Sequence, residues 1–197
     1  ACGGMASISA SPTTSAVSLA QPAASITLTV KNESTSNVSA DKGIITGGRV
    51  ASPLPAHLKF SATTNASSTC KDSKGVEIAP TITRATTANT TDTFSLADIT
   101  IGYQGSCTIT LPVEWTDTSD PATNACIQSS NNKSTLSIVP GVPNQFSTTQ
   151  GQTNDIATAD VVCTAPELAL SIPTLPNASY SVGDTVSYDV TVQSLSQ

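Results

Sequence analysis

The sequence predicts an all-β sandwich, and three observations carry that expectation. Charged residues make up only 11% of the 197, too few to clothe surface helices. Serine and threonine together number 59, and with the many valines they suit pleated, half-buried strands. Short runs of alternating apolar and polar residues recur between frequent turn signals, the pattern of many short strands stacked in two layers.

Taken in order, residues 1–20 are small, polar and proline-interrupted, with one alternating stretch from Ala6 to Ala10. They read as an N-terminal leader or edge strand, and as one candidate for donation to a neighbouring molecule. The body spans 21–165. Its first firm strand, Ser25 to Lys31, is ended by the turn-rich Asn32 to Asn37, and Gly47-Gly48 marks a loop or bulge. Pro53 and Pro55 push their predecessors out of helical geometry, so residues 53–60 approach the next strand extended. Residues 79–93 are threonine-rich and read as a loop, after which Phe94 to Tyr103 restores order.

Cys107 to Trp115 is the clearest strand, with every odd position apolar or cysteine and every even one polar or proline. Pro112 has no N–H to give a ladder, which predicts a sheet edge or a bulge there. Residues 116–135 are polar, with Asp117, Asp120 and Asn131 as turn formers. Leu136 to Val139, Phe146 and the run from Ile156 to Cys163 close the body. Residues 166–197 form a linker and then an alternating strand from Tyr180 to Val192, similar to the opening at 25–31. The two ends thus resemble two openings of one repeat. A lone strand must pair with its own sheet or with another molecule's.

A formal charge of -6, a pI near 4.4 and no cluster of lysine or arginine argue against nucleic acid or anionic membrane as a partner. No apolar run approaches the roughly 20 residues of a spanning helix. Five cysteines, at 2, 70, 107, 126 and 163, form no C-x-x-C pair, and His57 is the single histidine, so disulfides explain them better than zinc. Disulfides imply an oxidising compartment. The favoured bridges are Cys70 to Cys107 and Cys126 to Cys163, both 37 residues apart, although five cysteines leave other pairings open. Cys2 in Ala1-Cys2-Gly3-Gly4 has three readings: a lipid attachment, against which the preceding Ala1 stands; a free thiol; or an intermolecular disulfide. That opening is what removal of a signal peptide leaves, which predicts an extracellular, cell-surface location. Sequons for N-glycosylation begin at Asn32, Asn37, Asn65, Asn89, Asn132 and Asn177, each needing an exposed loop if used.

No catalytic set emerges. A Ser-His-Asp arrangement has only His57 to draw on, and Ser-x-x-Lys at Ser39, Ser68 and Ser130 lacks both a helix and the companion motifs. Asp117, Asp120 and Asn124 make turns more readily than a calcium loop. Lys31 and Lys59 lie on strands, where an isopeptide crosslink would need burial beside a carboxyl group. No enzyme activity, cofactor or metal is expected.

The order of features resembles a known family. Leu54-Pro55-Ala56-His57-Leu58, Ser61-Ala62-Thr63, Thr69-Cys70, Gly105-Ser106-Cys107 and the run Asn154 to Val161 are similar to the bacterial and archaeal surface repeats called domain of unknown function 11, and Val182 to Val186 is similar to the start of a next repeat. That resemblance implies an Ig-like antiparallel β-sandwich, here with elaborated loops and an extra terminal strand, in a surface protein without catalytic residues. The function expected is a structural subunit of a pilus- or fimbria-like filament, a homopolymer in which Val186, Tyr188, Val190 and Val192 fill a groove in the next copy. The alternative is one repeat of a larger adhesin, with 79–93 and 116–135 binding a glycan or a host surface protein.

Overall fold

Ile26, Leu28 and Val30 fall on one side of an extended segment because successive side chains point to opposite faces, and each is at most 1% exposed. The computed structural model describes residues 5–38, 40, 42–116, 126, 132–142, 145–164, 168–171 and 179–194. Its strands are β1 (Ala6–Ser11), β2 (Thr14–Ser18), β3 (Ala23–Asn32), β4 (Ile45–Pro53), β5 (Leu58–Phe60), β6 (Ser67–Ser68) and β7 (Thr81–Thr83). They continue with β8 (Thr93–Ile101), β9 (Ser106–Trp115), β10 (Lys133–Ile138), β11 (Phe146–Ser147), β12 (Ala157–Thr164), β13 (Leu168–Ser171) and β14 (Thr191–Ser194). No helix occurs among the described residues, and the all-β sandwich read from the sequence is what the chain forms.

One sheet has the order β1-β3-β9-β5, with β6 also on β9. The other layer is built from β10-β12-β2 and β11-β4-β8-β7, joined where Pro140 bridges Phe146. Among the described strands all pairings are antiparallel except β12 with β2, while the isolated bridges Ala6 to Gln152 and Pro140 to Phe146 are parallel. The inner faces share one core, in which Trp115, Phe94 and Phe146 are the largest fully buried side chains. Burial at about 25 cal/mol per Å² of apolar surface is the main favourable term.

Residues 6–18 belong to this body. The boundary expected at residue 21 is corrected: β1 is an edge strand on β3, with Ala6 and Ile8 in the core, and β2 crosses to the other sheet, burying Val17 beside β12. The same tracing gives the body a direction. Ala6 lies beside Gln152 at one end, whereas Thr164 lies beside Ser18 at the other, near where Trp115 N donates to Pro22 O.

Pro112 is not on an edge. Strand β9 runs through the middle of its sheet, pairing β3 on one side and β5 and β6 on the other. The proline falls in the break between β5 and β6, where its carbonyl accepts from Ser61 N at 3.0 Å and no ladder N–H is required. At Gly47-Gly48 the β4 register does shift, as expected of a bulge. Gly47 has φ +61, and a Cβ on Gly48 would lie 2.8 Å from the Ile99 side chain, so glycine is needed at both.

Two polar knots hold the loops. Asn32, 2% exposed, donates its amide to the carbonyls of Gly43, Ile101 and Gly102 at 2.7, 3.0 and 2.9 Å, and its oxygen accepts from Ser34 N. Asp92, 7% exposed, accepts from Phe60 N at 3.0 Å and Ala85 N at 2.8 Å, while Leu54 N donates to its backbone carbonyl. Arg84 stands 3.7 Å from Asp92 and donates to Phe60 O and Ser61 O. The stretch 79–93, expected as a free loop, therefore carries β7 and this clamp, and only its middle is open.

Candidate assembly surface

The C-terminal strand predicted over 180–192 is shorter than expected. Residues 179–190 carry no strand, and β14 begins at Thr191, pairing antiparallel with β13 alone. A two-stranded ribbon is marginally stable in water by itself. In the segment that leads into β14 and on β14 itself, Val186, Tyr188, Val190 and Val192 are 37%, 57%, 50% and 61% exposed, and Val182, in the turn where Asp184 N donates to Ser181 O, is fully exposed. These alternate apolar side chains thus keep much of their surface in water.

The ribbon repeats the register of the first hairpin. Ile8 faces Val30 across 22 residues of chain, and Leu170 faces Val192 across the same 22. At an offset of 162 the pairing sets Val192 on Val30, and counting back along the chain brings Tyr188 and Val190 to the places of Ile26 and Leu28. The positions that β3 buries completely are the positions that the C-terminal segment leaves open. Sequence pattern suggested the likeness of the two ends; the equal pairing distance needed the register.

Both favoured disulfides form. Cys70–Cys107 ties the chain after β6 to the start of β9, with Cα atoms 4.7 Å apart, and Cys126–Cys163 ties the long polar segment to the end of β12, with Cα atoms 5.0 Å apart. Such bonds persist in an oxidising environment. Cys2 and Asn177 lie outside the described residues, as do Asp117, Asp120 and Asn124 of the calcium reading.

The sequons divide sharply. Asn32 is closed, since its amide is held inside the protein, and this corrects its place among the acceptors. Asn132 is half-buried, and the Ser134 hydroxyl two residues on is 3% exposed and donates to Ala56 O. Asn37, Asn65 and Asn89 are exposed.

His57 is half-buried and stacks on Trp115, with ring centroids 5.3 Å apart and planes at 19°. It borders an open groove of about 630 Å³ that Lys59, Arg84, Asn89 and Thr116 also line. Lys59 faces Glu114 and Arg84 faces Asp92, so the two cations there are engaged by carboxylates. Lys31 and Lys59 are more than half exposed, not buried as an isopeptide donor must be. Among the described residues no group of three or more His, Cys, Asp or Glu side chains could hold a metal ion, and no helix is long and apolar enough to cross a membrane.

No protein-family model and no curated protein matches the chain. Among solved structures, one that matches is described as "AvmM Catalyzes Macrocyclization in Alchivemycin A Biosynthesis". It is 8% identical, with a TM-score of 0.32, over 82% of this chain and 90% of that one. A likeness at that level transfers no chemistry.

Proposed function

We propose that this chain is a structural subunit of an extracellular filament whose C-terminal segment completes a sheet of the next copy. The observation that carries this is the set of exposed alternate side chains Val186, Tyr188, Val190 and Val192, which lead into and join β14, a strand whose one described partner is β13. Main-chain hydrogen bonds to a neighbour's sheet edge supply affinity, and the alternate side chains supply register. Because the body is entered at one end and left at the other, contacts of this kind run head to tail and stay open. The two disulfides suit a subunit that works outside the cytoplasm. Deleting residues 179–194 tests the idea: soluble monomers by light scattering and negative-stain microscopy are expected, and fibres indistinguishable from those of the full chain overturn it.

The matched register favours a second reading, in which 168–194 opens another sandwich of a larger surface adhesin that binds a glycan or host protein. The mass of the natural product separates the two. Further repeats beyond the 19.9 kDa of this chain support the adhesin, whereas polymer built from subunits of that mass supports the filament.

A further inference from the structure

We propose that Asn65 and Asn89 are attachment sites for N-linked oligosaccharide, and that the sugars shield the two open sheet edges on one flank of the sandwich. The proposal needs export through an oxidising compartment, which the disulfides imply, and does not rest on the filament reading.

The sequon chemistry requires an asparagine amide and, two residues on, a serine or threonine hydroxyl, both reachable by a transferase. Asn65 with Ser67 and Asn89 with Thr91 meet that requirement, since all four residues are exposed. Asn89 lies in the turn where Thr90 N donates to Thr87 O, and Asn65 follows the bend after β5. Asn32 with Ser34 and Asn132 with Ser134 do not meet it, because both hydroxyl residues are buried. In the transfer, the Asn Nδ2 attacks the anomeric carbon of a lipid-pyrophosphate-linked oligosaccharide. The new C–N bond replaces the C–O bond to phosphate, the lipid pyrophosphate leaves, and the amide gives up one proton.

Position supplies the purpose. Strands β5 and β6 are the outer strands of one sheet, and β7 is the outer strand of the other. Arg84 at the end of β7 donates to Phe60 O and Ser61 O at the end of β5, which sets both edges on the same flank. Open edges invite pairing with another chain, and a bulky hydrophilic group in the loop beside each edge blocks that approach.

The test is glycopeptide mass spectrometry on the chain isolated from cells that export it through a compartment holding an oligosaccharyltransferase. Sugar on the peptides containing Asn65 and Asn89 is expected, with each of N65Q and N89Q removing one glycan from the intact mass and the Asn32 and Asn132 peptides bare. Bare Asn65 and Asn89 in cells that modify other exported sequons would overturn the proposal, as would sugar on Asn32 or Asn132 of the folded protein. Enzymatic deglycosylation of the native protein is expected to raise side-by-side association several-fold by light scattering; unchanged scattering removes the shielding role.

Discussion

Val30 and Val192 hold equivalent places in two hairpins of equal register, with Ile26 and Leu28, Tyr188 and Val190 at matching steps ahead of them in the chain, yet Ile26, Leu28 and Val30 are at most 1% exposed and Tyr188, Val190 and Val192 at least 50%. The local grammar is the same: an alternating strand after a proline-rich approach. What differs is the company. Strand β3 has β1 on one side, β9 on the other and the second sheet over its face, whereas β14 has β13. Alternation makes a segment able to be buried, and burial itself comes from partners far away in sequence. At roughly 1.5–3 kcal/mol per large apolar side chain, the C-terminal row retains several kcal/mol for whatever covers it.

The sharpest way to separate the two regions is to weaken the body alone. Each disulfide closes a separation of 37 residues, and loop-closure entropy sets its contribution at about 4 kcal/mol. Replacing Cys70 and Cys107, or Cys126 and Cys163, by serine should lower unfolding stability in urea by about that much. A loss under about 1 kcal/mol for both pairs would mean that the sheets hold those ends without help. Leu28→Ala comes next. It empties a fully buried site, and a loss of about 2–5 kcal/mol is expected, against less than about 0.5 kcal/mol for the equivalent Val190→Ala, which empties nothing. Equal losses for the two would show that the C-terminal row is covered within the chain, and the contrast drawn between the hairpins would collapse. Asn32→Ala removes the donor that three carbonyls share and the acceptor of Ser34 N. About 1–3 kcal/mol should go, the usual cost of stranding buried polar groups, seen as a lower thermal midpoint.

Much of the fold is legible because alternation is local. The strands around Ile26, Ile99, Cys107 and Val161 announce themselves by period two, and the equal cysteine spacings pointed to the bridges that form. Pro112 misled because a proline's tolerance depends on what faces its nitrogen, and here a distant chain breaks between β5 and β6 at that point. Residues 1–20 looked separable because their small, uncharged composition resembles a leader; only the pairing of β1 with β3 and of β2 with β12 brings Ala6, Ile8 and Val17 into the core. The threonine-rich stretch hid Asp92, whose function depends on Phe60 N and Ala85 N converging on one carboxylate. Asn32 reads as a glycan acceptor in the sequence for the same reason, since a sequon is three adjacent residues and its closure is a matter of carbonyls up to 70 residues away.

The smallest effect on stability should accompany the largest effect on assembly. Tyr188→Ser with Val190→Ser changes two side chains that are 57% and 50% exposed, so the urea midpoint of the body is expected to move by less than about 0.5 kcal/mol in equivalent stability. The same change removes apolar surface that a neighbour's groove would cover, and with up to about 3 kcal/mol lost per side chain, self-association should weaken by two to three orders of magnitude in sedimentation velocity. The paired change Ile26→Ser with Leu28→Ser supplies the opposite control, because there the loss falls on folding and assembly fails through unfolding. If the C-terminal double variant assembles as well as the parent, the exposed row is not the contact, and attention passes to β1 and β2, N-terminal edge strands that a copy could exchange.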